Sequence, residues 1–138
     1  MNGPELAGAL DALRLTLHVL AATIWVGGQL TVAGLLPTVR TLGGDAPRQI
    51  ARAFGRLQWP AYGVLIATGI WNVTALDTSR ATHSWQIVLG VKIGVALLAG
   101  LGAFLHQRSK TTAGLAVWGS VAGLASVGAL VLGVLLGG

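Results

Sequence analysis

Four stretches of predominantly apolar residues, separated by polar connectors, organise this chain. They cover roughly residues 13–36, 57–76, 85–105 and 113–136. Each is close to the ~20 residues that a helix rising 1.5 Å per residue needs to cross a hydrocarbon layer. The pattern predicts an all-α fold, a four-helix transmembrane bundle that takes up residues 1–138 as a single domain. The first stretch ends at Pro37. The connector after it, PTVRTLGGDAPRQIARAFGR, is long enough for a short amphipathic helix over residues 47–54 lying along the interface; the other two, DTSRATHS and HQRSKTT, are short.

Composition turns that reading into a statement about solvent. Hydrophobic residues make up 54% of the chain and charged residues 9%, against about 25% charged in an ordinary soluble domain. So few charges cannot coat a surface, and the expected partner of the outer face is the lipid bilayer. The net charge of +5 does not imply nucleic acid, because the basic residues sit beside apolar runs and form no solvated groove. They mark topology instead. Arg40, Arg48, Arg52 and Arg56 follow the first stretch and Arg108 and Lys110 the third, whereas the opposite side has Arg14 and Arg80 with Glu5, Asp11 and Asp77. Positive connectors stay in the cytoplasm, so both termini are expected outside, an N-out/C-out arrangement. The opening residues lack the basic start of a cleavable leader, and the first stretch is expected to be retained as a span. Gly90 with Gly94 and Gly119 with Gly123 repeat at the spacing that lets helix backbones approach in lipid. Trp59 and Trp85 fall near span ends, where indoles favour the headgroup layer.

Candidate chemistry lies in the polar residues inside the spans, each costly enough to need a reason. Arg14, His18, Trp25 and Gln29 are spaced four, seven and four residues apart, which places them on one stripe of a helix facing the bundle interior. Lys92 lies about 10 Å below the start of the third span, at the depth of His18, and Trp71 and Asn72 approach that level from the second. The expected result is one polar layer of Arg14, His18, Trp71, Asn72 and Lys92, in spans that contain no acidic residue. Cations without carboxylates attract an anion: a porphyrin propionate, a lipid headgroup, or Asp11 and Asp77 at the rim. Lys92 has the alternative of snorkelling to the surface, and His18 that of a packed, hydrogen-bonded imidazole, a metal or haem ligand, or a proton carrier. His106 is fourteen residues beyond Lys92, about 21 Å along the axis, too far to share a ligand with His18. A histidine-only metal site would need His18 and His83 brought together. The chain has no cysteine and one methionine, Met1, so disulfides, thiolate chemistry and the soft ligands that favour Cu(I) are missing. No hydrolase triad, metalloprotease motif or phosphate loop is present, and whether the chain is an enzyme is left open.

The runs LHVLAATIWVGGQL and LLPTVR in the first span, ATGIWNV in the second and VLGVKIGVALLAGLGAFLHQR in the third resemble, in order, the copper-resistance D (CopD) domain family. The resemblance extends over about residues 13–110. It implies a polytopic protein of the cytoplasmic (inner) membrane acting in copper uptake or resistance, with His18 as the copper ligand and a copper chaperone or redox protein as partner. A more distant similarity, in the His-then-Trp first helix and Lys-bearing third helix, is to HemJ. It implies a membrane oxidoreductase holding haem b, with His18 as axial ligand, Lys92 as second ligand or essential cation, and Arg14 paired with a propionate. Trp25, Trp71 and Asn72 complete the candidate cofactor residues. A cofactor-free accessory subunit, and a homo-oligomer that shares its ligand between copies, are the remaining expectations.

Overall fold

The structure, a computed structural model, describes residues 3–137. Four long helices account for most of them: α1 (Ala9–Thr41), α2 (Ala46–Ala75), α3 (His83–Arg108) and α4 (Thr112–Leu135), with a single short turn of 3₁₀ helix at Thr78–Arg80. No strand occurs among the described residues. Helices α1, α3 and α4 are long and apolar enough to cross a membrane. Helix α2 is longer than α3 and α4, but Gln58, Trp59, Pro60, Tyr62 and Asn72 dilute its apolar run.

The ends of the helices follow from local chemistry. Gly43 and Gly44 adopt left-handed backbone angles, φ 72° and 58°, where a Cβ is disfavoured; they end α1 and turn the chain into α2. Pro47 then stands in the first turn of α2, where a missing amide hydrogen costs nothing. Thr82 caps α3 by accepting from the Trp85 amide, and Thr111 caps α4 by accepting from the Gly114 amide.

Two element boundaries differ from the sequence reading. Helix α1 does not stop at Pro37 but runs through it to Thr41, since proline removes one hydrogen bond and neighbouring turns hold the helix. No separate interfacial helix forms over 47–54. Those residues are the first turns of a continuous 30-residue α2, about 45 Å at 1.5 Å per residue.

The helices pair as two antiparallel hairpins, α1 with α2 and α3 with α4. What joins the hairpins is a π-helical turn inside α1, Thr23–Gly27. Its widened turn buries two consecutive residues, Trp25 and Val26, against Ala99 and Ala103 of α3 and Ala122 and Ala125 of α4. Helices α3 and α4 approach closely at Gly102, where a Cβ would stand 2.9 Å from the Ala122 amide nitrogen. The glycines singled out by spacing play little part in this: a Cβ at Gly90, Gly94 or Gly123 would meet nothing within 4 Å, and one at Gly119 would meet the His106 ring. Close packing uses Ala99, Gly102 and Ala103 instead, one to two turns further along α3. Large apolar side chains on the other faces, among them Leu97, Leu101, Leu124 and Val134, remain exposed.

Candidate functional site

The polar side chains inside the bundle form two separate groups. The first surrounds Trp25 at the junction of the hairpins. Its indole Nε1 donates to Ser126 Oγ at 2.9 Å, and Gln29 Nε2 donates to the same oxygen at 3.2 Å. Ser126, 2% exposed, passes its own proton to the Ala122 carbonyl at 2.6 Å. The Trp25 ring lies 4.5 Å from Tyr62 and meets Trp59 edge-on at 5.7 Å. Tyr62 donates to the Ala96 carbonyl at 3.0 Å, over Gly100, where any Cβ would fall on the phenol ring. Trp59 donates to Gln107 at 3.0 Å, so it belongs to this cluster as well as to the helix end. A small apolar cleft of about 40 Å³, lined by Trp25, Tyr62, Leu65, Ala99 and Ser126 among others, adjoins the group.

The second group lies nearer the end of the bundle that carries both chain termini. Antiparallel α1 and α2 set it up in matching steps of one turn: Arg14 stands opposite Asn72, and His18 opposite Thr68. Arg14, with a side chain 8% exposed, donates from Nη2 to Asp11 at 2.8 Å and from Nη1 to the Asn72 carbonyl at 3.4 Å. Its Nε, and the side-chain oxygen of Asn72, are buried without a hydrogen-bond partner. His18 is half-buried, with Nδ1 2.8 Å from Thr68 Oγ1. Lys92 on α3 is half-buried. Val95 faces Gly128 and Gly102 faces Ala122, which puts the Lys92 backbone level with about residue 131; its ammonium lies instead against Gly133, 3.1 Å from where a Cβ would stand there. The stem of Lys92 thus leans toward the terminal end, the direction of snorkelling.

The stripe Arg14, His18, Trp25 and Gln29 faces inward, each of its members buried or half-buried. The contacts therefore bring Arg14 to Asn72 and His18 to Thr68 one turn apart, while Lys92 stands on α3 against Gly133. Trp71 is 38% exposed and lies outside it, and Trp25 belongs to the other group. Of the two rim carboxylates, Asp11 is the partner of Arg14, while Asp77 binds Ser79 and Arg80. His83 is exposed at the first residue of α3. His106 Nδ1 donates to the Leu115 carbonyl, 2.8 Å away, and ties the α3–α4 turn. Sequence reasoning did not single out Thr68, Tyr62 or Ser126. Thr68 was open to detection, being one turn from Asn72 on the same face; nothing in the Gly- and Ala-rich α4 marks Ser126.

The donor set limits what these residues can hold. Among the described residues no three His, Cys, Asp or Glu converge as a metal site. The cleft of about 40 Å³ beside Trp25 is far below the ~300–1,000 Å³ of sites that bury ligands of drug size. Comparison with protein-family models, with curated proteins and with solved structures finds no match for the chain.

Proposed function

We propose that this chain is a four-span protein of the cytoplasmic membrane, with both termini outside, that handles copper in the manner of the CopD domain family. Copper is its cargo and His18 its ligand. The single observation that supports this is the placement of His18: an imidazole held against α2 inside a membrane-embedded layer, with no carboxylate beside it. One imidazole is an incomplete copper site. The remaining donors come, in this reading, from a second copy of the chain or from a chaperone docking at the terminal end.

The runner-up is a haem b or porphyrin protein using His18, Lys92 and Arg14. The cationic character of the layer favours it, since Arg14 and Lys92 suit an anionic cofactor better than a cuprous ion. Haem would supply redox chemistry at its iron.

One purification separates these readings. Protein from cells supplied with both copper and haem is taken into mild detergent, its visible spectrum recorded and its copper measured by mass spectrometry. Copper in stoichiometric amount, lost in His18→Ala, with no Soret band, is the expected result. A Soret band that disappears in His18→Ala replaces copper with haem. Neither signal leaves the accessory role. Reporter fusions are expected to place the C-terminus outside and the Arg48 region inside; the reverse would overturn the assigned orientation.

A further inference from the structure

We infer that Thr68 sets the tautomer of His18, so that Nε2 is the nitrogen the ring can offer to a ligand. Thr68 is 4% exposed, and its hydroxyl has one proton and two lone pairs. Three atoms lie within hydrogen-bond reach of that oxygen: the Val64 carbonyl at 2.7 Å, the Leu65 carbonyl at 3.2 Å and His18 Nδ1 at 2.8 Å. Carbonyl oxygens have no proton to give. Were the hydroxyl proton turned to Nδ1, the Thr68 oxygen would face the Val64 oxygen at 2.7 Å with nothing between them. That is lone pair against lone pair in a low-dielectric interior, where such a contact is most costly. The hydroxyl therefore donates to the carbonyls and accepts from His18, and Nδ1 bears the proton. In the neutral ring this leaves Nε2 with the lone pair.

The arrangement matches what metal-bound histidines need. Their second nitrogen donates to an oxygen that fixes ring orientation and tautomer, and here that oxygen is supplied one turn from Asn72 on the facing helix. Thr68 is a positioning residue: it touches the imidazole and no ligand. Using the site for copper rests on the reading above, but the tautomer does not.

Nitrogen NMR on protein labelled with ¹⁵N-histidine, in detergent at a pH where the rings are neutral, tests it directly. The chain has three histidines, and His18→Gln identifies the signal. His18 is expected as the Nδ1–H form. His106, whose Nδ1 faces the Leu115 carbonyl, is expected in the same form by the same logic and serves as an internal reference. Thr68→Ser keeps the His18 pattern. Thr68→Val lets Nε2–H grow at His18 and leaves His106 unchanged. An Nε2–H ring at His18 in the native protein, or a Thr68→Val spectrum identical to it, overturns the inference. Copper affinity measured on the same variants is expected to fall about 10–100-fold in Thr68→Val and to stay near native in Thr68→Ser. If the native ring is Nδ1–H and the protein binds no copper, the functional reading fails and the tautomer assignment stands.

Discussion

The group around Trp25 and the layer around Arg14 are built from similar polar residues and do opposite things with them. At the hairpin junction the hydrogen-bonding side chains are matched: Trp25 and Gln29 share Ser126, Ser126 uses the Ala122 carbonyl, and Tyr62 uses the Ala96 carbonyl. In the layer about three turns away, Arg14 Nε and the Asn72 side-chain oxygen are buried with no partner, and Lys92 leans on a glycine. A buried polar group that is fully bonded holds helices in register; one that is not is a cost the fold tolerates for another reason. The first group is therefore structural, and the second is where the proposed function puts its ligand.

The largest expected effect tests the structural half of that contrast. Trp25→Ala opens the junction between the hairpins and is expected to cost about 3–5 kcal/mol, read as thermal unfolding in detergent. A loss no greater than that from Arg14 substitutions would remove the distinction between the groups. Ser126→Ala leaves the Trp25 and Gln29 donors without their acceptor, at about 1–3 kcal/mol in the same assay. Asn72→Leu deletes an unpartnered acceptor, so stability is expected to hold or to rise by up to about 1 kcal/mol, while bound copper, or haem if that reading is right, is diminished. A marked destabilisation would mean that Asn72 is a structural residue after all. The smallest effect is that of Gly133→Ala, whose Cβ presses on Lys92 from 3.1 Å. Stability should shift by less than about 0.5 kcal/mol, and ligand binding should change only if the ammonium takes part in it.

Much of the architecture was legible in the sequence, and the reasons are local. Four apolar stretches specify four helices whatever their neighbours, three of them long and apolar enough to cross a membrane. The inward stripe Arg14, His18, Trp25 and Gln29 follows from helix periodicity together with the cost of exposing such groups to lipid. Boundaries were less legible. Pro37 reads as a stop, yet α1 continues past it; the polar residues 47–54 read as a separate piece, yet they are helical in line with α2. The Gly90–Gly94 spacing reads as a contact, yet the close approach is at Gly102. Spacing shows which positions can face a neighbour, not which neighbour comes.

Sequence alone therefore determined helix number, helical class, and the face of α1 that turns from lipid, because hydropathy and periodicity are properties of one segment at a time. The tertiary structure decided who meets whom: Thr68 at His18, the Asn72 carbonyl at Arg14, Tyr62 in the space left by Gly100, and Ser126 beneath Trp25. Those pairings depend on the sliding register and rotation of one helix against another. In an apolar solvent many registers bury equal hydrophobic surface, so the choice falls to a few small residues, one widened turn and a handful of hydrogen bonds.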